Sequence, residues 1–235
     1  EPSVWAPGLL GAAFIVAFVR RQRRVAHPLI SLDIFQSRHF RAGFVAQNCL
    51  FASFMGITLV LPLFVQGPAG MTALEAGIVF IPATAVALFV NPLAGVLVDK
   101  VGPRAVCITG ATFLTVGAAS FMFVDATTPL WALMFWQGVR AVGVSALVGP
   151  LNSWGLSGLP GRLIMDGSAF FATVRQVCAS LGTALMMLLI SLLGAGGAVA
   201  ANGGATLAVV PYQAAFALST VFSAAVLVCA LWKIR

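Results

Sequence analysis

Residues 76–124 read AGIVFIPATAVALFVNPLAGVLVDKVGPRAVCITGATFLTVGAASFMFV, and this stretch decides the fold. Two uncharged apolar runs, Ala76–Val98 and Ala105–Val124, flank a short segment that holds three charged residues. A helix that crosses a lipid bilayer needs about 20 predominantly apolar residues. Each run reaches that length. The stretch therefore predicts two transmembrane helices joined by a short charged loop.

The composition of the whole chain supports the same environment. Of its 235 residues, 60% are hydrophobic and 8% are charged, and the mean hydropathy is +1.04. A soluble domain carries about 25% charged residues and needs a polar exterior. Barrel strands would alternate apolar and polar residues, whereas these runs are continuously apolar. We therefore predict an all-α polytopic membrane protein with about seven transmembrane helices, at about 4–19, 42–65, 74–97, 105–124, 130–154, 167–193 and 212–232.

Charge asymmetry predicts the orientation of these helices. Eleven of the thirteen Lys and Arg residues fall in alternate loops and at the C-terminus, whereas the intervening loops 66–73, 125–129 and 194–211 have none. Basic loops stay in the cytoplasm. We expect a multi-pass protein of the cytoplasmic membrane with a cytoplasmic C-terminus. The net charge of +7 is then explained without nucleic acid as a partner.

The charged loop itself has a recognisable pattern. Gly95-Val-Leu-Val-Asp99-Lys100-Val-Gly102-Pro103-Arg104 resembles the loop motif of the major facilitator superfamily. Gly95 would allow close helix approach, and Gly102 would permit a tight reversal. Asp99 lies near the start of the next helix, where the helix dipole favours an anion. Two interpretations remain open: a conformational latch centred on Asp99, or a short turn with ordinary cytoplasmic charge.

Five further segments, in their order along the chain, indicate a particular family within this superfamily. They are HPLISLDIF at 27–35, LPLF at 61–64, AGIVFIP at 76–82, QGVRAVG at 137–143 and GSAFFATVRQ at 167–176. Together they resemble the fourteen-helix drug:proton antiporters of the EmrB/QacA type.

The resemblance implies three parts and a function. They are a truncated central helix at 1–19, a basic cytoplasmic link at 20–41 and the C-terminal six-helix bundle at 42–235. It implies proton-coupled export of lipophilic or cationic drugs by alternating access. The expected partners are the lipid bilayer, a missing N-terminal half and a small-molecule substrate. The alternatives are export of a metabolite, lipid or siderophore on the same scaffold, and a non-transporting partner or sensor module.

Two arginines interrupt the apolar spans. Arg140 lies near mid-span and Arg175 about two turns into its helix. A central Arg costs roughly 2.5–3.5 kcal/mol on insertion scales, so each should face a cavity or a partner. Three roles stay open for Arg140: proton coupling, cavity lining or a structural tie to carbonyls. Arg175 is nearer the cytoplasmic end, and its side chain can extend towards that surface.

We expect a substrate cavity built from polar and aromatic residues inside the spans. The candidates for substrate binding or coupling are Asn48, Gln137, Arg140, Arg175 and Gln176. An apolar cavity wall is expected from Phe51, Phe54, Phe64 and Trp136. Prolines within spans, such as Pro62 and Pro82, predict bends.

The acidic residues fall only in loops and at span ends. Proton antiport requires a titratable group, so we expect the proton-carrying residue in the missing half. No cofactor is expected beyond the proton gradient as energy source. The four cysteines lack metal-ligand spacing and are predicted to pack as small hydrophobic residues. No nucleophile–base pair, metal cluster or phosphate loop is present, so an enzyme is not predicted.

Overall fold

The computed structural model describes residues 32–198 and 206–233, and outside these ranges only five isolated helical positions between 11 and 21. Most of the predicted first span, residues 22–31 of the predicted link and residues 199–205 of the outer loop therefore lie outside the described residues. Most of the described residues are helical, and none of them forms a strand. Their bounds are α1 Arg38–Gln66, α2 Ala73–Ile78, α3 Ile81–Val101, α4 Pro103–Ser120, α5 Leu130–Ser157, α6 Ile164–Ala198 and α7 Thr206–Lys233.

Six of these segments are long and apolar enough to cross a membrane, counting α2 and α3 as one span over Ala73–Val101. The prediction of an all-α polytopic membrane protein is confirmed. Each of the six predicted spans from residue 42 onward corresponds to one of them. The seventh, at 4–19, is not among the described elements.

Helix ends follow local chemistry. The hydroxyl of Ser37 accepts a hydrogen bond from the Phe40 N–H at the start of α1, which begins before the predicted residue 42. The hydroxyl of Thr72 accepts from the Glu75 N–H, and the Glu75 carboxylate accepts from the Thr72 N–H, which forms a capping box.

The span predicted as one helix at 74–97 is interrupted at Val79–Phe80. Pro82 lies in the first turn of α3 and has no N–H to donate to the preceding turn. The helix therefore restarts at Ile81. By contrast, Pro62, Pro92 and Pro150 lie inside continuous helices.

Helix α1 is the centre of the bundle and packs against α5, α6 and α7, while α4 packs against α5 and α7. Fourteen residues of α1 and fourteen of α5 are buried, whereas α3 buries only Ala94. Much of α6 is also exposed. Apolar faces that would be unfavourable in water are compatible with lipid or with a second membrane domain.

Candidate functional site

Close packing of α4 and α5 sets the position of Arg140. A Cβ atom on Gly117 would lie 2.8 Å from the Arg140 backbone N and Cα, and one on Gly143 would lie 2.6 Å from the Gly110 carbonyl oxygen. These glycines let the two backbones touch, as small residues do at membrane helix interfaces. Arg140 is thereby fixed against α4 on one side.

A groove of about 420 Å³ lies beside Arg140, between α1, α3 and α5. It combines aromatic, small apolar and uncharged polar side chains with one arginine. No carboxylate belongs to its wall as described. The lining residues are Phe51, Phe54, Thr58, Phe80, Ala83, Thr84, Ala87, Asn91, Gln137, Arg140, Ala141, Val144, Ser145 and Val148.

Arg140 is only 1% exposed and forms part of the groove wall. Its Nε donates a hydrogen bond of 3.0 Å to the Gln137 Oε1, and its guanidinium carbon lies 5.6 Å from the centre of the Phe54 ring. Nη1 is buried and has no hydrogen-bond partner among the described residues. Such an unused buried donor is able to bind an acceptor that is not part of this bundle.

Arg175 reaches the same aromatic pair from α6. Its guanidinium carbon lies 4.6 Å from the centre of the Phe51 ring, and the Phe51 and Phe54 ring centres are 6.2 Å apart at an angle of 89°. Phe51 is near the middle of α1. The Arg175 side chain therefore stacks on this ring of α1.

The other polar candidates lie apart from the groove. Asn48 is 8% exposed, does not line the groove, and its Oδ1 has no hydrogen-bond partner within the described bundle. The Oε1 of the neighbouring Gln47 also has no hydrogen-bond partner within the described bundle. Gln176 lines a separate depression of about 340 Å³ with Met55 and residues of α6. The structure therefore brings together Gln137 and Arg140, with Arg175 at the edge.

Two of the four aromatic candidates do not line the groove. Phe64 is fully buried and packs against Tyr212 and Phe216 of α7, with ring centres 5.8 and 6.1 Å away. Trp136 packs against the same core cluster. The prediction of a cavity wall is not borne out in this groove for either residue, because both pack into that core cluster.

Several groove residues were not predicted as cavity lining. Phe80, Thr84, Ala87 and Asn91 follow one another at spacings of three and four residues, so they share one face of α3. This helical spacing is visible in the sequence. The spacing does not reveal which face of an apolar helix meets the bundle, so this face of α3 could not be identified from the sequence.

The loop motif at 95–104 is only partly as expected. Gly102 has φ +89° and ψ 158°, a conformation that favours glycine, and it joins α3 to α4 as predicted. Close helix approach at Gly95 is not observed, since an added Cβ there would meet no atom within 4 Å in the described structure. Asp99 is exposed, and no hydrogen bond or ion pair joins it to other described residues. The latch interpretation stays a prediction.

A buried hydroxyl cluster ties α1 to α7. The Ser53 Oγ lies 2.7 Å from the Ser219 Oγ and 3.0 Å from the Ser223 Oγ, and all three side chains are fully buried. Such hydrogen bonds hold membrane helices together at modest energy.

Comparison with known proteins places this geometry in context. Residues 2–183 match the family model described as Major Facilitator Superfamily. The chain is 32% identical over 79% of its length to the uncharacterised MFS-type transporter YhcA of Bacillus subtilis, covering 35% of that protein. It is 28% identical over 80% of its length to a multidrug resistance protein B homolog of Mycobacterium tuberculosis, covering 35% of it.

The name of a third relative gives a different transported substrate. The riboflavin transporter RibZ of Clostridioides difficile is 24% identical over 75% of this chain, which covers 39% of RibZ. The chain thus spans between 35% and 39% of the length of these three curated relatives.

Proposed function

Because this chain belongs to the Major Facilitator Superfamily, we propose that it forms one half of a secondary transporter that exports lipophilic small molecules. The observation that carries the proposal is the groove between α1, α3 and α5, with Arg140 in its wall. Transporters of this type bind substrate near the bilayer midplane, between two repeats that rock to alternate access. Binding and movement, without covalent chemistry, then account for the activity.

The lining of the groove favours a lipophilic substrate. Phe51, Phe54 and Phe80 contribute aromatic surface, and the remaining apolar lining is Ala and Val. Ligand pockets combine such surface with a few polar groups that fix orientation. Here Gln137, Thr58 and Asn91 can supply hydrogen bonds. The name of the mycobacterial relative as a multidrug resistance protein points to the same class of cargo.

The energy source and partner are also proposed. We expect a proton gradient to drive export, with the proton-carrying carboxylate in an N-terminal half that packs over the exposed faces of α3 and α6. The five described carboxylates are at span ends or in loops. We expect the whole protein to lie in the cell membrane, with Lys100, Arg104 and the C-terminus in the cytoplasm.

The test is dye transport by the full-length protein in proteoliposomes. An imposed proton gradient should drive at least one of two lipophilic dyes, the cationic ethidium or the anionic 8-anilinonaphthalene-1-sulfonate, across the membrane, and a protonophore should abolish the movement. Gln137→Leu removes the hydrogen bond to Arg140 and should slow transport several-fold. Gln213→Leu is the matched control, since it removes a hydrogen bond to the Val124 carbonyl outside the groove. Folded protein that moves no dye under a gradient would refute the proposal.

A metabolite is the second candidate cargo, favoured by the named cargo of RibZ. Riboflavin is a flat aromatic molecule, and the groove offers three phenylalanine rings and uncharged polar groups. Competition by riboflavin in the dye assay would favour this cargo, whereas dye transport indifferent to riboflavin would exclude it.

A further inference from the structure

Two cations flank one aromatic pair in the middle of the bundle. Arg140 lies over Phe54 on the groove side, and Arg175 lies over Phe51 on the α6 side. Both distances are within the range of cation–π attraction, which orients the guanidinium groups without neutralising them. The centre of the bundle therefore carries two positive charges.

These charges have no described counterion. None of the five described carboxylates lines the groove, and Arg140 uses its Nε on an uncharged Gln137. Arg140 is 1% exposed and its Nη1 is unpartnered among the residues of the bundle. An unpaired cation is costly at this depth, so the site favours an anion and opposes a second cation.

The two arginines have different access. Arg140 lies in the groove wall and contributes positive potential from a fixed position, because Gly117 holds its backbone against α4. Arg175 is only partly buried, and its guanidinium lies against Phe51, which lines the groove. A guanidinium binds carboxylate, sulfonate or phosphate oxygens through paired charge-assisted hydrogen bonds.

From these contacts we propose that the site selects amphipathic aromatic anions. The acidic group of the ligand binds Arg175, its ring lies on Phe51 and Phe54, and Arg140 repels cationic competitors. This inference rests on the proposed transport function and narrows its cargo. The family resemblance implied cationic drugs as substrates. The present proposal differs, because the described groove lining contains no carboxylate that could bind a cation.

A charge series on one ring system tests the preference. Full-length protein in non-ionic detergent without added anionic lipid is titrated with 1-naphthoate, 1-naphthamide and 1-naphthylmethylammonium, and binding is followed by probe fluorescence. Naphthoate should bind at least about tenfold more tightly than the ammonium probe, as expected for a hydrogen-bonded charge pair. Equal or tighter binding of the ammonium probe would overturn the proposal.

Variants of Arg175 test the assignment of the acidic group. Arg175→Gln should weaken naphthoate binding about tenfold or more and naphthamide binding by less than about twofold. Arg175→Lys, which keeps the charge, should retain most of the affinity. Arg162→Gln is the matched control, since it removes an exposed arginine from the cytoplasmic loop. If Arg175→Gln weakens all three probes equally, its role is structural, or its counterion is a carboxylate of the other half, and the assignment fails.

Dye transport by the same protein, reconstituted in proteoliposomes, separates the two proposals. Gradient-driven dye movement without an anion preference overturns this inference and leaves the transport function standing. An anion preference without transport of any dye overturns the transport function and leaves the binding site standing.

Discussion

Replacing Gly117 with alanine tests the packing that positions Arg140. The added Cβ would lie 2.8 Å from the Arg140 N, Cα and Cβ atoms. Carbon atoms in contact prefer about 3.5–4.0 Å, so α4 and α5 would have to separate by roughly 0.7 Å or more. Overpacking of this kind costs about 1–3 kcal/mol. For a chain of this size, that corresponds to a fall in Tm of several degrees.

The assay is thermal unfolding of the detergent-purified protein, together with dye transport by the same protein in proteoliposomes. Gly149→Ala is the matched control, because Gly149 is on α5 and an added Cβ there would meet no atom within 4 Å. We expect Gly117→Ala to lower Tm and slow transport, since it displaces Arg140 from the groove wall, and Gly149→Ala to leave both near the parent values. Equal Tm and transport for the two variants would refute the close contact.

Two further predictions concern positions away from the groove. Ser53→Ala breaks the hydroxyl cluster with α7 and should destabilise the protein by about 0.6–1.7 kcal/mol in thermal unfolding. The Ser180 hydroxyl donates only within its own helix, so Ser180→Ala should lower the stability less. A larger loss of stability for Ser180→Ala than for Ser53→Ala would contradict the role of Ser53 in joining α1 to α7. Gly102→Ala should cost about 1–3 kcal/mol because its φ of +89° disfavours a side chain. Gly161→Ala, with equal free space but no positive φ, is the control, and equal stability of the two would disprove strain at Gly102.

Much of the candidate site was visible as residue types, but its arrangement was not. Gln137 and Arg140 are one helical turn apart on α5, so their proximity follows from the sequence alone. Phe64 and Trp136 have the same character as Phe51 and Phe54, yet they pack in the core. Which aromatic residue meets a cavity depends on how α1 is rotated against α3 and α7, and hydrophobicity is nearly uniform around these helices. A uniform helix gives no sequence signal for its rotation.

Apolar length and charge placement determined the number, approximate limits and expected orientation of the spans from residue 42 onward. A bilayer requires a minimum helix length, and basic loops are retained on its cytoplasmic side. The tertiary structure alone decided that Arg175 stacks on Phe51, that Gly117 brings α4 against Arg140, and that Asn48 is buried outside the groove. These contacts join residues far apart in the chain. They depend on side-chain shape at helix crossings, where small residues allow approach and large ones prevent it.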